Sequence, residues 1–254
     1  MIIAIDIGNT NIVTGVFENG KLKFMERIST NHTITSLEYA FSFSEIFRIH
    51  GTDPRSAEGC IISSVVPDVL IAVSDALERL SGKPCYKVSH KLKTGLDIKI
   101  DNPGTLGNDQ IVDAVAAIAE YPLPLAVIDM GTATTISIIT EGAVYEGGVI
   151  LPGTRVSLDS LTNRTSQLPK IGIEKPENVI GKNTVDCMKS GIVFGSAAQI
   201  DGLIDRFENE IGSHLTAVAT GGLAPLIVPY CRHEIICDDS LLMKGLYILY
   251  KENF

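Results

Sequence analysis

The chain has 254 residues, 45% of them apolar and 20% charged, with a net charge of −9 and a pI near 5.0. That length suits one large domain or two small ones with a real core. The acidic balance, without a basic stripe, argues against nucleic-acid binding.

Five cysteines (Cys60, Cys85, Cys187, Cys231, Cys237) form no C-x-x-C pair, and they read as inert thiols of a reducing, cytoplasmic compartment. The apolar start reaches Asp6 without a basic leader, so a strand is expected there rather than a signal peptide. No apolar run is long enough to span a bilayer, so no membrane partner is expected.

In chain order, strands are predicted at about 1–7, 11–18 and 21–29, with turns at Gly8-Asn9 and Asn19-Gly20. A helix follows at about 35–49, capped by Thr35 or Ser36 ahead of Glu38. A buried strand runs from Cys60 to Val66, ended by Pro67, and an amphipathic helix follows at about 68–81. After Asn102-Pro103-Gly104 and Gly107-Asn108-Asp109, a helix is expected from Gln110 to Tyr121. Strands at about 124–130, 134–140 and 143–150 repeat the opening pattern, and Pro152-Gly153 starts a helix at about 154–163. Thr184 to Ile211 reads as one long helix, with Thr184 as its N-cap. A strand at 216–220 and helices near 223–229 and 239–251 close the chain.

The repeat carries the chemistry. Asp6-Ile7-Gly8-Asn9-Thr10 ends the first apolar run, and Asp129-Met130-Gly131-Thr132-Ala133 ends a second one nearly half the chain later. A glycine in a strand-to-strand turn lets backbone N–H groups approach phosphate oxygens. Thr10, Asn11, Thr132 and Thr134 add side-chain donors. Asp6 can hold Mg²⁺, directly or through water, because that ion favours one or two carboxylates plus phosphate oxygens. One copy alone is an ordinary hairpin turn; two copies imply a duplicated nucleotide cleft between halves at about 1–117 and 118–254.

Thr220-Gly221-Gly222 offers bare backbone for an adenine ring. Asp109 is either the N-cap of the next helix or a general base that takes the acceptor hydroxyl's proton. Gly181-Lys182-Asn183-Thr184 lacks Walker spacing.

Together these residues resemble type III pantothenate kinases, members of the acetate and sugar kinase, Hsp70 and actin superfamily. Asp6-x-Gly8-Asn9-Thr10 and Asp129-x-Gly131-Thr132-x-Thr134 match the two phosphate motifs. Gly147-Gly148-x-Ile150-x-Pro152-Gly153, Leu161-x3-Thr165, Asn183-Thr184 and Thr220-Gly221-Gly222 match later segments. The resemblance implies an α/β fold of duplicated ribonuclease-H-like, actin-like ATPase domains, with mixed sheets flanked by helices. It implies ATP-dependent phosphorylation of pantothenate at its primary hydroxyl, the entry to coenzyme A, with Asp109 as base. ATP would be held by Asp6, Gly8, Asn9, Thr10, Asn11, Ile12, Val13, Gly131, Thr132, Thr134, Gly221 and Gly222. A monovalent cation (K⁺ or NH₄⁺) at Asp129, Mg²⁺ at Asp6 and a homodimer are also implied. Ile100, Gly107, Asn108, Asp109, Gln110, Arg164, Thr165 and Thr184 fall in the substrate segments.

Two positions depart from the family pattern. Gln110 stands where the family has arginine, and Ile100 where it has tyrosine. A neutral amide cannot replace a charge-assisted fork to a carboxylate, a loss of roughly 1.5–3 kcal/mol. Arg164 could restore the charge. The alternatives are a paralogous kinase for another small hydroxy acid or alcohol, and a catalytically weak nucleotide-binding regulatory protein.

Overall fold

In the computed structural model, which describes residues 1–254, each strand–turn–strand repeat founds a mixed sheet. β1 (Ile2–Ile7), β2 (Asn11–Glu18) and β3 (Lys21–Ser29) form an antiparallel meander. β1 also pairs in parallel with β4 (Gly59–Ser64), and β5 (Cys85–Lys87) completes the order β3-β2-β1-β4-β5. The second sheet uses β6 (Asp97–Ile98), β7 (Leu125–Met130), β8 (Ala133–Thr140), β9 (Val144–Pro152), β10 (Thr216–Thr220) and β11 (Ile235–Cys237). Its order is β11-β10-β7-β8-β9-β6. β7, β8, β9, β10 and β11 therefore retrace β1 to β5, and β6 is an added edge strand.

The repetition reaches single residues. In β1 and in β7 every side chain is buried except the aspartate, Asp6 or Asp129, which is partly exposed. Each meander carries a register shift, at Val16/Phe17 and at Ile138/Ile139. The turns differ in length. Ile7 pairs with Ile12 across Gly8–Asn11, whereas Met130 pairs with Thr134 across the shorter Gly131–Ala133. That missing residue explains why Gly142 comes one position early relative to Gly20. It also puts Thr134, only 6% exposed, in the buried place that Ile12 holds in the first copy.

Packing divides the chain into two compact units, one of Met1–Gly95, Asp101–Ala116 and Ser240–Phe254, the other of Leu96–Ile100 and Ala117–Asp239. In the first, α1 (Ser36–Ile49) and α2 (Pro67–Ser81) bury Phe43, Phe47, Val73 and Leu77 against Ile3, Ile5 and Ile7. α1 begins with a reciprocal capping box between Thr35 and Glu38. α7 (Leu241–Asn253) covers the opposite face, where Tyr247 stacks on Phe17 at 4.7 Å and Met243 fills the space over Gly15. α3 (Asn108–Glu120) meets α7 where the Val112 carbonyl lies against Gly245.

In the second unit, α5 (Thr184–Ile211) and α6 (Ala224–Ile227) bury Val193, Ala197, Ile200 and Ile227 against Ala126, Ile128 and Met130. α4 (Thr154–Arg164) joins α5 through Leu158, Met188 and Ile192.

The long helix has the expected bounds, but its N-cap is Asn183, whose Oδ1 accepts from the Asp186 amide at 2.9 Å, and not Thr184. All five cysteines are free. The Cys85 thiol is pushed up by its hydrogen-bonded neighbour Cys60 and by burial, and burial pushes Cys231 up to about 12, so both are poor nucleophiles. No helix is long and apolar enough to cross a membrane.

Candidate active site

The first unit holds the Asp6 turn and the Asp109 segment. Gly8 N–H donates to the Asn11 carbonyl at 2.9 Å and closes the turn. Thr30, just past β3, braces it from behind: its hydroxyl donates to the Gly8 carbonyl at 2.6 Å and its amide to the Thr10 carbonyl at 2.9 Å. These bonds draw in three carbonyl oxygens that would otherwise repel a phosphate. Asn9, Thr10 and Asn11 are left exposed at the rim. Ile12 is fully buried in the core and Val13 partly so, and Ile12 can therefore meet a ligand through backbone only.

Asp109 is not an N-cap. It is the second residue of α3, and Gly107 takes the capping position, its carbonyl accepting from the Ile111 amide at 3.1 Å. Asp109 Oδ1 accepts from the Gln110 amide at 2.9 Å, and Oδ2 carries no hydrogen bond. A Cβ on residue 107 would collide with Oδ1, so only glycine there lets the carboxylate lie across the start of the helix. Asn108 and Gln110 flank it, each partly exposed.

The second unit holds the Asp129 turn. A Cβ at Gly221 would stand 2.6 Å from Asp129 Oδ1 and 2.8 Å from the Met130 nitrogen. Gly221 adopts φ +90°, which a side chain would resist, so backbone itself walls this carboxylate. Thr220 is paired with Asp129 across the β7–β10 ladder, and the exposed Gly222 follows.

α4 starts against the same turn, since a Cβ on its N-cap, Gly153, would strike the Thr132 carbonyl. Gly153 supplies no side-chain cap, so the first amides of α4 open beside Gly131 and Thr132. A helix N-terminus next to a glycine turn favours an anion. Thr132 is exposed, whereas Thr134 is buried.

Ile100, just past β6, packs over Gly147 of β9, where a Cβ would lie 3.7 Å from its Cγ2. Arg164 is exposed at the end of α4 and makes no ion pair. Thr165 is exposed with its hydroxyl donating to the Leu161 carbonyl at 2.7 Å. Thr184 is exposed in the first turn of α5. Thr30 goes unmarked in the sequence, because it acts through a contact with a turn distant in the chain.

No group of three or more His, Cys, Asp or Glu side chains is placed to hold a metal. A cation at either turn would thus meet at most two such side chains, Asp6 or Asp129 among them, beside the phosphate oxygens. Those hard oxygen donors fit Mg²⁺.

A family model described as type III pantothenate kinase matches residues 2–206. A type III pantothenate kinase from Exiguobacterium sibiricum is 43% identical over 253 residues, covering 100% of both chains. Among solved structures, a Baf family protein from Campylobacter jejuni superposes with a TM-score of 0.61 at 18% identity, over 98% of each chain. A ROK family glucokinase from Streptomyces griseus, solved with glucose and AMPPNP, gives 0.51 at 15% identity, over 99% of this chain and 98% of that one. At such identities the structural likeness speaks for the fold alone: a duplicated, actin-like α/β architecture.

Proposed function

The chain belongs to the type III pantothenate kinase family, and from that we propose that it transfers the γ-phosphoryl group of ATP to the primary hydroxyl of pantothenate, the first step of coenzyme A biosynthesis. The observation that carries this reading is the doubled strand–Asp-x-Gly–strand unit, with Asp6 and Asp129 as the only partly exposed side chains of otherwise buried strands. Neither a kinase for another hydroxy acid nor a weak nucleotide-binding protein is favoured by the relatives.

In this reading the rims of the two turns, Gly8 to Asn11 and Gly131 to Thr132, hold phosphate oxygens, helped by the uncapped start of α4. Backbone at Ile12 and Val13 continues the first turn. Thr134 supports the second from a buried position, and Gly221-Gly222 takes the adenosine. Asp6 would hold Mg²⁺, directly or through water, and Asp129 a monovalent cation such as K⁺ or NH₄⁺. The Mg²⁺ ion supplies charge neutralisation along the phosphates when bound.

The Gln110 amide fixes the Asp109 carboxylate through Oδ1, and Oδ2 accepts the proton of the attacking hydroxyl. Ile100, Gly107, Asn108, Gln110, Thr165 and Thr184 line the acceptor's place, and Arg164 supplies the cation for its carboxylate. We also assign a homodimer. Ile150 on β9, Val156 and Leu161 on α4, and Val179 and Ile180 before α5 are large apolar side chains left exposed in one unit.

An ADP-release assay with pantothenate, Mg²⁺ and K⁺ tests the reading. Robust turnover is expected, and Asp109→Asn should lower kcat by about 10²–10⁴-fold while ATP still binds. An unchanged kcat in that variant, or ATP binding without any turnover of pantothenate, would overturn it.

A further inference from the structure

Two neighbouring hydroxyls end β4, and the fold uses only one. Ser64 Oγ accepts from the Val66 amide at 3.0 Å and donates to the Val66 carbonyl at 3.1 Å, which secures the turn into α2. Ser63 is 0% exposed, and its Oγ has no hydrogen-bond partner. Such a hydroxyl has surrendered its water contacts and received nothing in return, a condition that buried polar groups ordinarily avoid.

The strand register identifies its neighbour. β1 and β4 run parallel, with Ser63 paired to Asp6. Paired residues of a parallel ladder project from the same face, and adjacent strands lie about 4.8 Å apart. Rotation about the Ser63 Cα–Cβ bond therefore brings its hydroxyl within reach of the Asp6 carboxylate. The second unit repeats the constellation. β7 and β10 run parallel, Asp129 is paired to Thr220, and Thr220 is 5% exposed. Each acidic turn thus has a buried hydroxyl beside its carboxylate, on the neighbouring parallel strand.

We propose that Ser63 is a positioning residue for the first turn: its hydroxyl donates to the Asp6 carboxylate when Mg²⁺ and ATP are bound, and holds that carboxylate in one orientation. This rests on the kinase reading of the Asp6 turn. Ser63 does not touch the nucleotide and acts through Asp6. A hydroxyl-to-carboxylate hydrogen bond is charge-assisted and stronger than a neutral one. In the structure the same hydroxyl has no partner, which gives the proposal a sign that an ordinary structural serine would not share.

Ser63→Ala is compared with the parent protein by melting temperature without nucleotide, and by calorimetric affinity for ATP with and without Mg²⁺. The unliganded melting temperature should stay level or rise. Affinity for ATP with Mg²⁺ should weaken roughly tenfold, and affinity for metal-free ATP should not move. In an Asp6→Asn background, Ser63→Ala should have little effect, since the charge it acts on is gone.

A fall in the unliganded melting temperature makes the hydroxyl structural and overturns the proposal. An unchanged affinity with Mg²⁺, in a parent that binds it normally, overturns this proposal alone. A parent that binds no ATP overturns the kinase reading with it. Should Ser63→Ala fail to fold, Ser63→Cys gives the same comparison with a weak donor of similar shape. Weaker binding with Mg²⁺ then supports the role, and equal binding ends it.

Discussion

Gln110 and Ile100 are the two positions expected from the sequence to part from the family pattern, and the structure gives each a specific neighbour. Gln110 follows Asp109 in the first turn of α3, and its amide holds the Asp109 carboxylate. That service is rendered by the backbone, so the change of side chain leaves the orientation of the base intact. On the expected family pattern, what the change would remove is a guanidinium for the acceptor's carboxylate. Arg164, exposed and without an ion pair at the end of α4, is our candidate replacement. Arg164→Ala should raise KM for pantothenate about tenfold and leave KM for ATP unmoved in steady-state kinetics. Equal shifts for both substrates would exclude that role.

The elements show how unevenly structure is written along the chain. α1 was legible from Thr35 and Glu38, and its capping box is complete: Glu38 Oε2 accepts from the Thr35 amide at 2.7 Å and from its hydroxyl at 2.9 Å, while the Glu38 amide donates to the Thr35 hydroxyl at 3.4 Å. The hydrogen bond from the Thr35 backbone, more than that from its hydroxyl, holds Glu38 below its ordinary value near 4.5. A carboxylate with a depressed folded pKa contributes stability in full above its unfolded pKa, and loses it as pH falls through the folded one. Glu38→Gln should therefore lower the urea midpoint at neutral pH. That deficit should shrink as pH falls through the folded pKa of Glu38, and an equal deficit at every pH would show that the carboxylate's charge adds nothing to the cap.

β6 and β11 went unread, because two and three residues are too few to display alternation. The shorter second turn was visible only as the early Gly142. Its consequence, a buried Thr134, needed the pairing of Met130 with Thr134.

At the scale of the molecule, the last helix belongs with the first strands. α7 buries Leu241, Met243, Leu246, Leu249 and Tyr250 in the unit built on β1 and β4. A chain cut after Asp239 would expose the sheet face that carries Gly15 and Phe17. Burial of one such side chain commonly contributes about 2–5 kcal/mol, comparable to much of a domain's net stability. The truncated chain should lose cooperative melting of that unit by circular dichroism, and an intact transition would contradict the packing.

The sequence by itself determined the duplication, both acidic glycine turns and most helices, because each of those signals lies within a few consecutive residues. Tertiary structure alone decided that Thr30 braces the first turn, that Gly221 walls Asp129, that Ser63 stands beside Asp6 and that Ser240–Phe254 completes the opening unit. The physical reason is the same in every case. Parallel ladders and helix-on-sheet packing join residues far apart in the chain, and no local pattern of polarity or turn chemistry records which strand will lie next to which.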